Sequence, residues 1–172
     1  LVEEELRARP LDVGVGGRVV LLAVGKAAIG MAKGAKRVLG SCIGEGVVLV
    51  PAWSEGCAPA GFELYRGGHP LPDSDGVEGA RAISDAARRS GEADRLLVLI
   101  SGGGSALLTL PAGDVSLADV REVTQMLLNS GAPIGVLNAV RKHLATLKGG
   151  RVARFAVAPP VPSTSLADVV GS

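Results

Sequence analysis

Residues 95–108 read Arg-Leu-Leu-Val-Leu-Ile-Ser-Gly-Gly-Gly-Ser-Ala-Leu-Leu. The run Leu96–Ile100 is apolar without alternation, as a parallel strand covered on both faces requires. Three glycines between two serines then give a tight turn into a helical segment. Working outward, the same grammar recurs near the start. Arg18–Val24 is a second continuous, β-branched run, and after the Gly25 turn Ile29, Met31, Ala32, Ala35 and Val38 repeat at helical spacing up to Gly40. Strand, glycine turn, helix, repeated, predicts an α/β fold: a parallel sheet with helices on both faces, binding ligands beyond the carboxyl ends of its strands.

The rest of the chain fits around those two units. Val2–Arg9, stopped by Pro10, reads as the last turns of a helix. Gly46–Pro51 is a further buried strand and Phe62–Tyr65 a shorter third or edge strand. Residues 67–76 hold glycines and prolines in a stiff turn, from which Asp75 is expected to cap a helix to about Arg89. Ser116 and Asp119 form a capping-box pattern for a helix to Leu128. Another helix is expected from Ile134 to Lys148, with Gly149 and Gly150 as its stop, and Phe155–Val157 and Ser163–Val170 are expected strands.

Composition bounds the function. The 172 residues are 47% apolar, enough for one domain with a core, and 18 basic against 17 acidic residues leave a net charge of +1. No overall field draws the chain to nucleic acid or an anionic membrane, so anion recognition must be local. Aromatics at 2% offer no stacking platform for single strands. Cys42 and Cys57 have neither CxxC nor histidine spacing, which argues for reduced thiols, a cytoplasmic setting and no zinc. No apolar run approaches the roughly 18–20 residues of a membrane helix. The opening Leu-Val-Glu-Glu-Glu carries no Met and no signal pattern, so the true start is expected upstream.

Several residues carry candidate chemistry, each with a plainer alternative. The backbone of Ser101, Gly102, Gly103, Gly104 and Ser105 suits a phosphate, or is simply a tight turn; it is neither a Walker loop nor a G-x-G-x-x-G fingerprint, since Leu107 holds the last position. Lys26 sits at a strand's carboxyl end, a catalytic place, yet most lysines are solvated. Asn138, Arg141 and Lys142 share a helix face that fits a carboxylate or phosphate, or water. No acidic residue occurs from Val123 to Ala167, against five basic ones, so this third is locally cationic. His143 falls nearer the apolar side of that helix, as a structural histidine. His69, between Gly68 and Pro70, either meets substrate or ties its loop. Asp73 and Asp75 read as capping residues before metal ligands, whereas Asp168 is better placed for magnesium.

Gly25-Lys-Ala-Ala28, Gly67-Gly-His-Pro-Leu-Pro-Asp73, Ile100-Ser-Gly-Gly-Gly-Ser-Ala-Leu-Leu108, Ser130-Gly-Ala132, Asn138-x-Val-Arg-Lys-His-Leu144 and Lys148-Gly-Gly150, in this order, resemble the glycerate 2-kinase family. Members have also carried a hydroxypyruvate reductase label. The resemblance covers almost the whole chain and implies the family's amino-terminal, Rossmann-like three-layer domain, with the carboxyl-terminal domain absent and the sheet incomplete. It further implies ATP-dependent phosphorylation of D-glycerate at its 2-hydroxyl, with Mg2+, in a cleft between two domains. Lys26 then matches the cleft lysine, residues 102–105 the phosphate loop, and Arg141 and Lys142 the substrate anchors. The family continues Ser-Asp-Val-x-Gly-Asp where this chain has Ala167-Asp-Val-Val-Gly-Ser172. Little activity is therefore expected of residues 1–172 alone, and self-association through the unpaired cleft wall is expected. The competing readings are a degenerate, non-catalytic domain that binds an anion or a partner, and a reductase, which the missing dinucleotide fingerprint disfavours.

Overall fold

The computed structural model describes residues 1–156. Four strands, β1 (Val19–Val24), β2 (Ile43–Pro51), β3 (Glu63–Gly67) and β4 (Arg95–Ile100), form one sheet in the order β3-β2-β1-β4, with every neighbouring pair parallel. Every residue of β1 is buried. Its alternate side chains feed two separate cores, as the period of two demands. Val19, Leu21 and Ala23 join one cluster with Ala28, Ala32 and Ala35 of α2 (Ala28–Leu39) and with Val2 and Leu6 of α1 (Val2–Ala8). Val20, Leu22 and Val24 join the other with Ala80, Ile83, Ala86 and Ala87 of α3 (Ser74–Arg89). Helices thus cover both faces of a parallel sheet, the α/β architecture expected.

Alanine dominates the buried stripes of α2 and α3, so both helices lie close against the sheet. Gly79 of α3 takes this furthest, since a Cβ there would come within 2.6 Å of Leu49 Cδ1 and 2.7 Å of Tyr65 Cβ. On the outer face α1 is tied to α2 by an ion pair of Glu3 with Arg37. Both cysteines are free and exposed.

The remaining helices are α4 (Gly104–Leu107), α5 (Leu117–Asn129), α6 (Ile134–Leu144) and α7 (Val152–Phe155). The Ser116–Asp119 capping box forms as expected, each residue's side chain accepting the other's backbone N–H. Four expectations are corrected. The cap of α3 is Asp73, which accepts the Gly76 N–H at 2.8 Å, so the helix starts before Asp75. α6 stops at Leu144 rather than Lys148, because Ala145 turns extended and bridges Pro111, while the Thr146 N–H donates to Leu110. Phe155, expected to begin a strand to Val157, instead ends the short helix Val152–Phe155, while Val157 lies outside the described residues. His143 is exposed rather than packed on the apolar side of α6. The strand expected over Ser163–Val170 lies outside the described residues, as does Asp168.

Candidate functional site

The chain runs from β1 outward to β2 and β3, then crosses back to place β4 on the other side of β1. The strand order reverses between β1 and β4, and a crevice opens at such a reversal beyond the carboxyl ends of the strands. The turns after Val24 and Ile100 therefore meet. Their meeting is a set of hydrogen bonds: the Lys26 N–H donates to the Gly102 carbonyl at 2.9 Å, and the Ser101 N–H to the Val24 carbonyl at 2.9 Å. Ser101 Oγ accepts the Ala27 N–H at 3.0 Å and donates to the Val24 carbonyl at 3.3 Å. Ser101 is buried, and its hydroxyl, accepting one hydrogen bond and donating another, braces the two turns against each other.

Gly103 is the close-approach point. It sits at φ +85°, where only glycine is unstrained, and a Cβ there would lie 3.0 Å from His69 Nε2 and 3.5 Å from Lys26 Cγ. The structure therefore brings together three residues suspected separately: Lys26, His69 and Gly103. Lys26 is exposed and precedes α2, which begins at Ala28. The N–H groups of Gly102 and Gly103 donate to no group among the described residues, so they remain open to an anion, whereas the Gly104 N–H is taken by the Ser101 carbonyl at 3.2 Å.

The His69 loop is gripped from two helices. Arg141 of α6 donates to the Pro70 carbonyl at 2.7 Å and Arg121 of α5 to the Pro72 carbonyl at 2.6 Å. The His69–Pro70 peptide is cis. Burial pushes the His69 imidazole below its ordinary pKa, and the charges of Lys26 and Arg141 push it further in the same direction. The ring is accordingly neutral at neutral pH. Arg121 was not singled out by the sequence, where it is one basic residue on an amphipathic helix.

The three polar residues expected on one face of α6 divide. Arg141 is buried at 4% exposure, turned toward the loop. Asn138 and Lys142 are exposed, and the Lys142 stem lies over Gly149, where a Cβ would meet it. Lys148, read in the sequence as the end of a helix and part of the Lys148-Gly-Gly150 motif, is buried at 6% exposure with Nζ 3.2 Å from Thr109 Oγ1. Among the described residues no three His, Cys, Asp or Glu side chains are grouped to hold a metal ion.

The whole chain, residues 1–172, matches the family described as a domain of unknown function, DUF4147. A D-glycerate 2-kinase of Thermotoga maritima is 45% identical over 171 residues, covering 99% of this chain and 40% of that protein. A protein of Agrobacterium vitis that carries a hydroxypyruvate reductase name is 40% identical over 155 residues, 90% of this chain and 40% of that protein. The crystal structure of a glycerate kinase from Thermotoga maritima superposes with a TM-score of 0.80 at 42% identity, over 92% of this chain and 37% of that one. The chain thus spans about two fifths of the length of these relatives. With its motifs, its fold and its full length matched, the chain belongs to the DUF4147 family, the family of the glycerate 2-kinases that it resembles.

Proposed function

We propose that this chain supplies one wall, the amino-terminal one, of a glycerate 2-kinase site that transfers the γ-phosphoryl group of ATP to the 2-hydroxyl of D-glycerate. The observation that carries the reading is the convergence of Lys26, Gly103 and His69 where the β1 and β4 turns are tied together. Phosphoryl transfer needs little covalent help from the protein; it needs positioning and neutralised charge. The glycerate oxygen attacks the γ-phosphorus as the bond to the ADP oxygen breaks, and the hydroxyl proton must leave. On this reading Lys26 at the mouth offsets charge on the transferring group, and the Gly102 and Gly103 N–H groups hold phosphate oxygens. His69, held neutral, is the group suited to accept the hydroxyl proton or to orient the hydroxyl. Arg141 holds the His69 loop while its remaining donors face the substrate carboxylate, with Asn138 and Lys142 at the outer rim. Mg2+ enters with ATP on this reading, and Asp168 would be a ligand for it, the ion offsetting phosphate charge.

A reductase receives no support from the fold, because the turn after β4 lacks the dinucleotide fingerprint. Among the described residues no helix is long and apolar enough to cross a membrane, which is compatible with a cytoplasmic kinase. Met126, Leu128, Ile134 and Val136 stand exposed on α5 and α6, which supports the expectation of a covering surface, either the second wall or another copy. A coupled ADP-release assay tests the function: D-glycerate-dependent turnover by the full chain that is lost in Lys26→Met supports it. Glycerate-independent ATP hydrolysis alone, or no release above background from a folded two-domain protein, ends it. Residues 1–172 alone are expected to turn over little.

A further inference from the structure

Lys148 and Arg141 are both buried, and the charge of Arg141, on α6, acts on the Lys148 amine. Thr109, on the segment that follows α4, is the amine's hydrogen-bond partner. Its own proton is committed to the Ala106 carbonyl at 2.8 Å, so Thr109 accepts from Lys148 at 3.2 Å. An ammonium carries two further N–H donors, and these have no acceptor among the described residues. Arg141 likewise spends one donor group on Pro70 and no other. Among the described residues no carboxylate pairs with either cation: the ion pairs engage Glu3, Glu4, Glu5, Glu45 and Asp85, all elsewhere.

Two like charges buried together without a counter-ion are costly. The protein meets part of that cost by giving up a proton, since burial first, and Arg141 second, push the Lys148 amine down to about 7. Unspent donors with no negative charge beside them among the described residues describe a place for a ligand's acceptor. Arg141 connects this place to the mouth through the Pro70 carbonyl, one residue from His69. Lys142, the neighbour that sequence spacing favours, is exposed and turned over Gly149.

We propose that Lys148 and Arg141 form a buried subsite for one oxyanion of the ligand, a carboxylate or phosphate oxygen, and that Lys148 takes up a proton as that oxyanion binds. The proposal rests on the reading of this chain as part of a kinase with anionic substrates. It adds a residue which that reading leaves out and a proton which it does not count.

Titration calorimetry of the full chain at pH 7.5, in buffers of different ionisation heat, reads the proton directly. D-glycerate alone and inorganic pyrophosphate alone are the two probes, the first reporting a carboxylate and the second a phosphate. The pH lies above the range in which His69 titrates, so its uptake does not intrude. Proton uptake is expected with one probe, and Lys148→Met is expected to weaken that probe by ~10-fold or more and to abolish the uptake. Absence of uptake with both probes overturns the proposal, as does unchanged affinity or surviving uptake in a folded Lys148→Met protein. The wild-type measurement needs no variant, so the test stands even if the variant does not fold. Glycerate turnover without uptake would end this inference and leave the kinase reading intact; uptake without turnover would do the reverse.

Discussion

The Ser101 hydroxyl, at the end of β4, accepts the Ala27 N–H in the turn that follows β1 at 3.0 Å. One side chain thereby completes the backbone hydrogen bonding of a turn that lies far from it in sequence. Ser101→Ala leaves that N–H without an acceptor in a half-buried place. The expected cost is ~1–3 kcal/mol, read as a lower urea midpoint with an unchanged slope. An unaffected midpoint would show that water replaces the hydroxyl freely.

Three glycines should respond to alanine in a fixed order. Gly25 sits at φ +115°, where a Cβ would overlap Ser101 Oγ and come within 2.6 Å of the Ser101 carbonyl oxygen, so Gly25→Ala is the most damaging. Gly103→Ala adds strain at φ +85° but meets the movable His69 ring, and costs ~1–2 kcal/mol. Gly30 lies within α2 with nothing within 4 Å of its Cβ position, so Gly30→Ala should stabilise by ~0.5–1 kcal/mol. Thermal melts of the three variants side by side check the order.

Lys26 is exposed and forms no described side-chain contact that folding depends on. Lys26→Met should therefore leave the melting temperature within a degree or two of wild type while lowering kcat by ~10²–10³-fold. A proportional loss of stability and activity would place the residue in the scaffold instead.

His69 ties pH to both stability and its neighbours. Its folded-state pKa lies below the ordinary 6.5, so the unfolded chain binds more protons between the two values. The stability it contributes is present above 6.5 and is lost as pH falls toward the folded value. Arg141→Met removes one of the charges that disfavour imidazolium, so the His69 pKa should rise toward 6.5. Proton NMR of the imidazole resonances follows that shift directly, and a fall would contradict the arrangement described.

Lys148 gives a second window with the same sign. The folded amine titrates at about 7 against an ordinary 10.5, so the unfolded state holds more protons between those values and stability rises with pH across them. Lys148→Met should flatten this rise and be more stable than wild type at pH 7, as expected when a desolvated charge is replaced by an apolar side chain of similar length. Chemical unfolding at pH 7, 8, 9 and 10 measures both. A lysine retained for structure alone would give a less stable variant at every pH.

The sheet could be read from the sequence because β1 and the Val47–Val50 stretch of β2 are apolar on both faces without a break, a signal that no solvated helix reproduces. Lys26, His69 and Gly103 were also legible, as unusual residues at turns following strands. The end of α6 was not: Ala145 and Leu147 continue an apolar helical spacing, and only the bridge to Pro111, distant in sequence, takes the backbone out of the helix. The cap of α3 was misplaced by two residues because Asp73 and Asp75 are chemically equal, and the choice between them is made by how Gly67 and Gly76 pack. The brace made by Ser101 was not legible, since its hydroxyl's partners belong to a different strand-turn unit. Lys148 was noticed as part of a motif but given no role of its own, because a lysine before two glycines matches an ordinary helix stop and burial leaves no mark in one sequence.

The brace between the β1 and β4 turns also limits how the protein can diversify. Because Lys26, Ala27, Gly102 and Ser101 bond across from one turn to the other, neither turn can lengthen by a residue without displacing its counterpart. Length variation among descendants of this chain should collect instead at exposed glycine corners such as Gly16, Gly56 and Gly113, where added atoms meet nothing, while the two turns change, if at all, as a pair.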